Sequence, residues 1–392
     1  MTFRIALLAS VAGVLAAQTG DPLAKGLAHF YNLEYDQAEA EFRREIRDKP
    51  AEPGPHNRLA QAIQFRELYR NGALESELVS GSNSFLRRPK VEATPEIEKQ
   101  FFDAIEKAMS LAQARLDKNP NDTEALYSLG AAYGLRGNWN FLVRKAWRDA
   151  LRDGTEGRKL HNRVTELDPN NYDARLMQGV HDYVVGSLPL LYKMIGFLVG
   201  FRGDKDEGIR TLQGVAEKGN RNRVDAQVFL LALYRRENRW KDAGPLLDRL
   251  IANYPRNHLF RFELAQMHSA LGNKEQALAA IREVERLKSS GAPGYAKLPE
   301  GKILYQKATI QFWYRDYQES LQNFRRIEQN VDDLDLNMGV LTLMRIGQIH
   351  DVLNQREQAV AAYRRAIAFA PEAEAAKESR RYLSSPYRRE SS

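Results

Sequence analysis

Residues 339–371 read GVLTLMRIGQIHDVLNQREQAVAAYRRAIAFAP, and two helical faces can be picked out of them. Leu343, Ile346, Gly347 and His350 recur at the spacing of one helical stripe, and Ala359, Tyr363 and Ala366 repeat that spacing on a second. The stretch therefore predicts two antiparallel helices packed along a shared seam. Gly347 and Ala359 are small, as residues must be where two helices cross closely. Tyr363 and Ala366 continue the seam one turn on. Pro371 has no amide hydrogen to offer a helix and stops the second one.

The same landmarks recur along the chain. Leu230, Tyr234, Trp240, Ala243, Leu247 and Pro255 make one copy, and Leu264, Ala265, His268, Gly272, Ala277 and Ile281 the next. Ala308, Tyr317, Ser320, Phe324 and Ile327 form a looser one. Gly26, Ala38, Phe42 and Pro50 form an early one, and Leu129, Gly130, Tyr133 and Gly137 open another. The turns NPND, DPNN, YPRN and APEA end second helices at proline, and an adjacent Asn, Asp or Glu helps to start the next. A pattern of about 34 residues with these landmarks resembles the tetratricopeptide repeat. The fold expected is all-α, a tetratricopeptide-repeat α-solenoid of about seven or eight helical hairpins.

Proline spacing shows where regularity fails. Pro120 and Pro169 are 49 residues apart, about 15 more than one repeat, so the helices over 139–167 should be elongated. From Pro169 to Pro255 is 86 residues, about 18 beyond two repeats, and that excess falls on an apolar segment near 188–199. An insertion loop is expected at 71–95 and another at 289–301. The chain then divides into a signal peptide at 1–17, N-terminal repeats at 18–120, and an irregular centre at 121–220. A regular array follows at 221–371, with a capping helix and tail at 372–392.

The first residues, MTFRIALLASVAGVLAAQTG, place one cation before a 13-residue apolar run that ends in small residues. That is the layout of a cleaved secretory signal, too short to span a bilayer, and the expectation is export to the periplasm or beyond. With no cysteine the protein has neither disulfides nor thiolate metal sites. The formal charge of +7 comes from 58 basic and 51 acidic residues spread over the whole chain. Nucleic-acid binders concentrate such charge on a face or tail, so a nucleic-acid partner is not expected.

No catalytic, metal or cofactor pattern emerges. The seven histidines are scattered, with no H-E-x-x-H, and there is no nucleophile elbow or phosphate loop. The run Asp332 to Gly339 has a calcium-loop look, but its glycine is one place late and Met344 stands where the closing acid belongs. The chain reads as a non-enzyme that binds protein or peptide. First-helix residues pointing away from their partner helix would line a concave groove: Phe30, Tyr31, Tyr127, Tyr183, Arg235, Arg236, Phe262, Gln266, Tyr305, Phe312, Trp313 and Gln348. Aromatic rings with arginines suit an extended or helical peptide. The competing reading is that these side chains pack against neighbouring repeats.

The apolar segment itself reads GSLPLLYKMIGFLVGFRGDKDEG from Gly186 to Gly208. Ser187 suits a helix start, with Pro189 in its first turn. Asp204 with Glu207 suits the start of a further helix over 205–218, which accounts for the Arg-Gly-Asp triplet. Pro189, Lys193 and the glycines argue against a spanning helix, although docking of Leu188–Phe201 on a membrane surface is the alternative to a peptide scaffold. The run Gly179, Ser187, Leu188, Pro189, Gly200, Phe201, Gly203, Asp204 and Gly208 resembles the tetratricopeptide-repeat-39 and inclusion-body clearance family. That resemblance implies a non-catalytic adaptor, here in an exported bacterial form.

Overall fold

The computed structural model describes residues 21–74, 92–187, 202–330 and 336–389. Among them are seventeen α-helices and no strand. Helices pair in chain order. The first pair is α1 (Pro22–Tyr31) with α2 (Tyr35–Asp48), then α3 (Pro53–Arg70) with α4 (Pro95–Leu116), and α5 (Thr123–Trp139) with α6 (Trp147–Leu167). Next come α7 (Leu176–Gly186) with α8 (Lys205–Lys218), α9 (Arg223–Arg236) with α10 (Trp240–Asn253), and α11 (His258–Ala270) with α12 (Lys274–Ser289). Two further pairs, α13 (Glu300–Trp313) with α14 (Tyr317–Glu328) and α15 (Leu336–Val352) with α16 (Arg356–Phe369), precede α17 (Glu374–Ser384). Eight hairpins and a final single helix form the expected solenoid.

One steric contact recurs along the array. A Cβ built on Gly347 would lie 2.5 Å from the ring of Tyr363, and one on Gly26 would lie 2.4 Å from the ring of Phe42. The ring fills the space that the missing side chain leaves, so the two helices lie close. In each case the ring stands sixteen residues after the glycine. Gly130 makes the same contact with His161, at 2.3 Å, and Gly179 with Leu212, at 2.9 Å, at separations of 31 and 33 residues. The extra residues enter between the two contacts without disturbing them. In the third hairpin α5 passes into a π-helical turn, Asn140–Arg144, before the 21-residue α6. The elongation expected over 139–167 is present in this form.

Hairpin turns share a second constraint. Leu33, Asn238, Gly272, Arg315 and Asn354 all have positive φ, between 55° and 80°, and occupy the same place in their turns. Glycine and asparagine adopt this conformation readily, whereas Leu33 and Arg315 do so at a cost of about 1–2 kcal/mol. Turn polar residues act as read from the sequence. Asp122 caps α5 through the Ala125 amide, Asn257 caps α11 through the Leu259 amide, and Asp204 caps α8 by accepting from the Glu207 amide at 2.8 Å. Ser187 ends α7, and the apolar helix expected near 188–199 lies outside the described residues, as do the expected signal peptide and most of the expected 71–95 loop.

The Gly347 contact leads to a sign prediction. Gly347→Ala forces Tyr363 from its place and should lower stability by about 1–3 kcal/mol in urea unfolding. Gly154, inside α6, has nothing within 4 Å of a built Cβ. Gly154→Ala should therefore raise stability by about 0.5–1 kcal/mol. Equal effects at the two positions would show that the glycine at 347 is not a packing residue.

Candidate functional site

The structure divides the expected groove residues. Phe30, Tyr31, Tyr127, Tyr183, Phe262, Tyr305, Phe312 and Gln348 are all buried. Tyr127 stacks on His161 at 4.9 Å with nearly parallel rings, and Tyr305 meets Phe324 edge-on at 6.0 Å. The Tyr183 hydroxyl donates to Glu237 at 2.8 Å, while Arg236 lies over the Tyr183 ring. Arg235 pairs with Glu263 at 3.0 Å, and the Gln266 amide donates to Gln306 at 3.0 Å. Trp313 alone among the aromatic candidates is open to solvent, at 47% exposure.

The burial of the N-terminal candidates has a particular cause. The array winds back on itself, and the turn after α1 reaches the turn between α10 and α11. Arg256 donates to both carboxylate oxygens of Glu34, at 2.7 and 2.9 Å. The Arg256 amide donates to the Asn32 side chain at 3.0 Å, and the Asn257 side chain donates to the Tyr31 carbonyl at 2.8 Å. The rings of Tyr31 and Tyr254 meet at 5.2 Å. Burial opposes ionisation of Glu34, but hydrogen bonds from Arg256 and His29 outweigh it and hold the carboxyl below its ordinary value. Just inside this clasp the Asp225 carboxyl lies near the Tyr31 hydroxyl and Gln61 and is pushed up to about 6, chiefly by burial. Arg256 and Asn257 belong to the turn YPRN, which sequence reading treated only as helix punctuation. Nothing local in it announces a partner more than two hundred residues away.

What stays accessible among the aromatic candidates is Trp313, the last residue of α13, beside Arg345 of α15. Phe312 and Trp313 meet edge-on at 5.4 Å, and the Arg345 guanidinium lies 4.7 Å from the centre of the first ring and 5.2 Å from the second. Arg345 also donates to Gln348 at 2.7 Å. Asp351, one turn further along α15, is 1% exposed and accepts from Arg356 and from the Tyr363 hydroxyl, each at 2.8 Å. This region offers one exposed aromatic ring, a fixed cation and a buried carboxylate, a set suited to binding a polypeptide. Among the described residues, no three His, Asp or Glu side chains converge as a metal site.

A match to a repeat-family model agrees with the hairpin architecture. Residues 230–292 match a tetratricopeptide repeat family model. No curated protein matches the chain. Similar solved structures include yeast Tom70, 13% identical over 94% of this chain and 89% of that one, with a TM-score of 0.42. The human IFIT1 dimer with m7Gppp-AAAA is 13% identical over 93% of this chain and 81% of that one, with a TM-score of 0.43. A tetratricopeptide repeat protein from Parabacteroides merdae is 13% identical over 79% and 91%, with a TM-score of 0.29.

The clasp can be tested by a double-mutant cycle. Glu34→Gln and Arg256→Ala should each lower the unfolding midpoint and show a coupling of about 1 kcal/mol, since the pair is only partly shielded from water. Small-angle scattering should show the Arg256→Ala chain expanded. Asp225 supplies a pH test. Its folded-state pKa is raised, so its ionised form destabilises the protein above pH 6, and that effect disappears as pH falls into the normal carboxylate range. Asp225→Asn should accordingly raise the thermal midpoint at pH 7.5 and make little difference near pH 4.

Proposed function

We propose that this tetratricopeptide-repeat chain is a non-catalytic, exported scaffold that binds an extended protein segment on the inner face of its last two hairpins. The hairpin array is a protein-interaction fold. The observation carrying the finer reading is the exposure of Trp313 beside Phe312, with Arg345 over both rings, where the other aromatic candidates are buried. A half-exposed tryptophan next to a fixed cation is the kind of residue that dominates binding energy when a partner covers it. Export rests on the N-terminal sequence pattern.

Docking of Leu188–Phe201 on a membrane surface stands as the second reading. It is favoured by Val184, 44% exposed in the last turn of α7, just before that segment. No described helix is long and apolar enough to cross a membrane.

A photo-crosslinking residue at position 313 should capture the partner in the native host, whereas one at Leu151, exposed on α6, should not. Trp313→Ala should weaken partner binding at least tenfold. Undiminished binding would remove this groove as the site. Flotation of the mature chain with anionic and neutral liposomes tests the second reading, and a chain that stays at the bottom of the gradient with both does not dock.

A further inference from the structure

The groove on α13 and α15 is not empty: the chain's own C-terminal residues lie across it. After α17 ends at Ser384 the backbone is extended, and residues 385–389 turn back toward the ends of α15 and α13. Side chains alternate as an extended peptide requires. Pro386 and Arg388 are exposed, while Tyr387 and Arg389 are half-buried.

Each inward residue has its own seat. The Tyr387 amide donates to the buried Asp351 carboxylate at 2.8 Å. The Tyr387 ring packs against Phe312 at 6.2 Å and edge-on against Tyr382 at 5.5 Å. Arg389 donates to the last two carbonyls of α13, those of Phe312 at 2.9 Å and Trp313 at 2.5 Å. Its guanidinium also lies 5.5 Å from the centre of the Trp313 ring. Carbonyls at a helix C-terminus have no partner within the helix and carry partial negative charge, so a cation is stabilised there. A planar guanidinium reaches two of them at once, which an ammonium does less well.

We infer that the tail is a built-in competitor for the groove, and that the partner segment is an extended basic peptide bearing an aromatic residue followed two positions later by arginine. This rests on the scaffold reading above and names both its ligand class and its regulation. The seat recognises backbone through Asp351, an aromatic ring through Phe312 and Tyr382, and arginine through the end of α13. Any segment with that pattern meets the same groups. The tail is joined to α17 by a few residues, so its local concentration is on the order of millimolar, and a free segment must bind well to displace it. Opening the groove therefore depends on partner concentration.

The test uses a fluorescein-labelled peptide of residues 385–392, SPYRRESS. Fluorescence anisotropy is measured with the full chain and with a chain ending at Ser385. The shortened chain should bind the peptide at least tenfold more tightly than the full chain. Peptides carrying Tyr387→Ala or Arg389→Ala should lose binding, and Arg389→Lys should weaken it less. A full-length Tyr387→Ala/Arg389→Ala chain should also expose the groove, and it serves if shortening unfolds the last hairpin. Equal affinity for the full and opened chains overturns the proposal. So does absence of binding to an opened chain whose circular dichroism and thermal midpoint are native. An opened chain that ignores the tail peptide yet still crosslinks its partner at position 313 removes the tail proposal alone. Loss of both peptide and crosslink removes the scaffold reading with it.

Discussion

The ring of Tyr363 lies where a side chain on Gly347 would have to be, and the rest of the architecture depends on that kind of contact. Phe42 fills the same space against Gly26, His161 against Gly130 and Leu212 against Gly179. Close approach of the two helices buries their apolar stripes together, and burial is what stabilises helices too short to persist alone. Each hairpin still leaves one face uncovered, which the next hairpin takes. Regular spacing of the contact sets a regular stack. The two hairpins with extra residues keep the contact and place the excess elsewhere, in the π-helical turn and lengthened α6 of one and in the segment before α8 of the other.

Stacking alone would leave a continuous concave surface. Here polar contacts between distant turns close it part of the way along. Asn32, Glu34, Arg256 and Asn257 hold the first hairpin against the junction of the fifth and sixth, and the aromatic residues between them become interior. Asp225, near Tyr31 and Gln61, then sits in a poorly solvated place, at a cost to the ionised carboxylate. Only beyond the clasp does the inner face keep an accessible tryptophan. There the C-terminal residues take the positions that a bound segment would use. Position on the first helix is therefore a poor guide to exposure in this array, because closure and packing against adjoining helices together decide which of those positions face water.

The hairpins were legible because their signals are local. A small residue and a large one sixteen positions apart, prolines at regular intervals and Asp or Asn at helix starts each act within one repeat. Asp122, Asp204 and Asn257 cap the helices that their positions suggested. The left-handed turn positions were half legible. Gly272, Asn238 and Asn354 are residues that favour positive φ, whereas Leu33 and Arg315 are held there by the hairpin around them. The groove was much less legible. Phe262, Tyr305 and Trp313 have the same chemistry in sequence, yet only the last is exposed. Arg345, Asp351, Tyr387 and Arg389 gave no sign, because their partners come from four different helices and a tail.

Periodicity by itself determined the all-helical class, the hairpin unit and the turns, since helix pairing here is an interaction between residues close in sequence. It also determined where the repeat is stretched. Tertiary structure decided which inner residues reach solvent and which groups meet across the array. Those outcomes depend on the small rotation added at each hairpin. Summed over several repeats, that rotation brings Glu34 to Arg256, and no single repeat contains it.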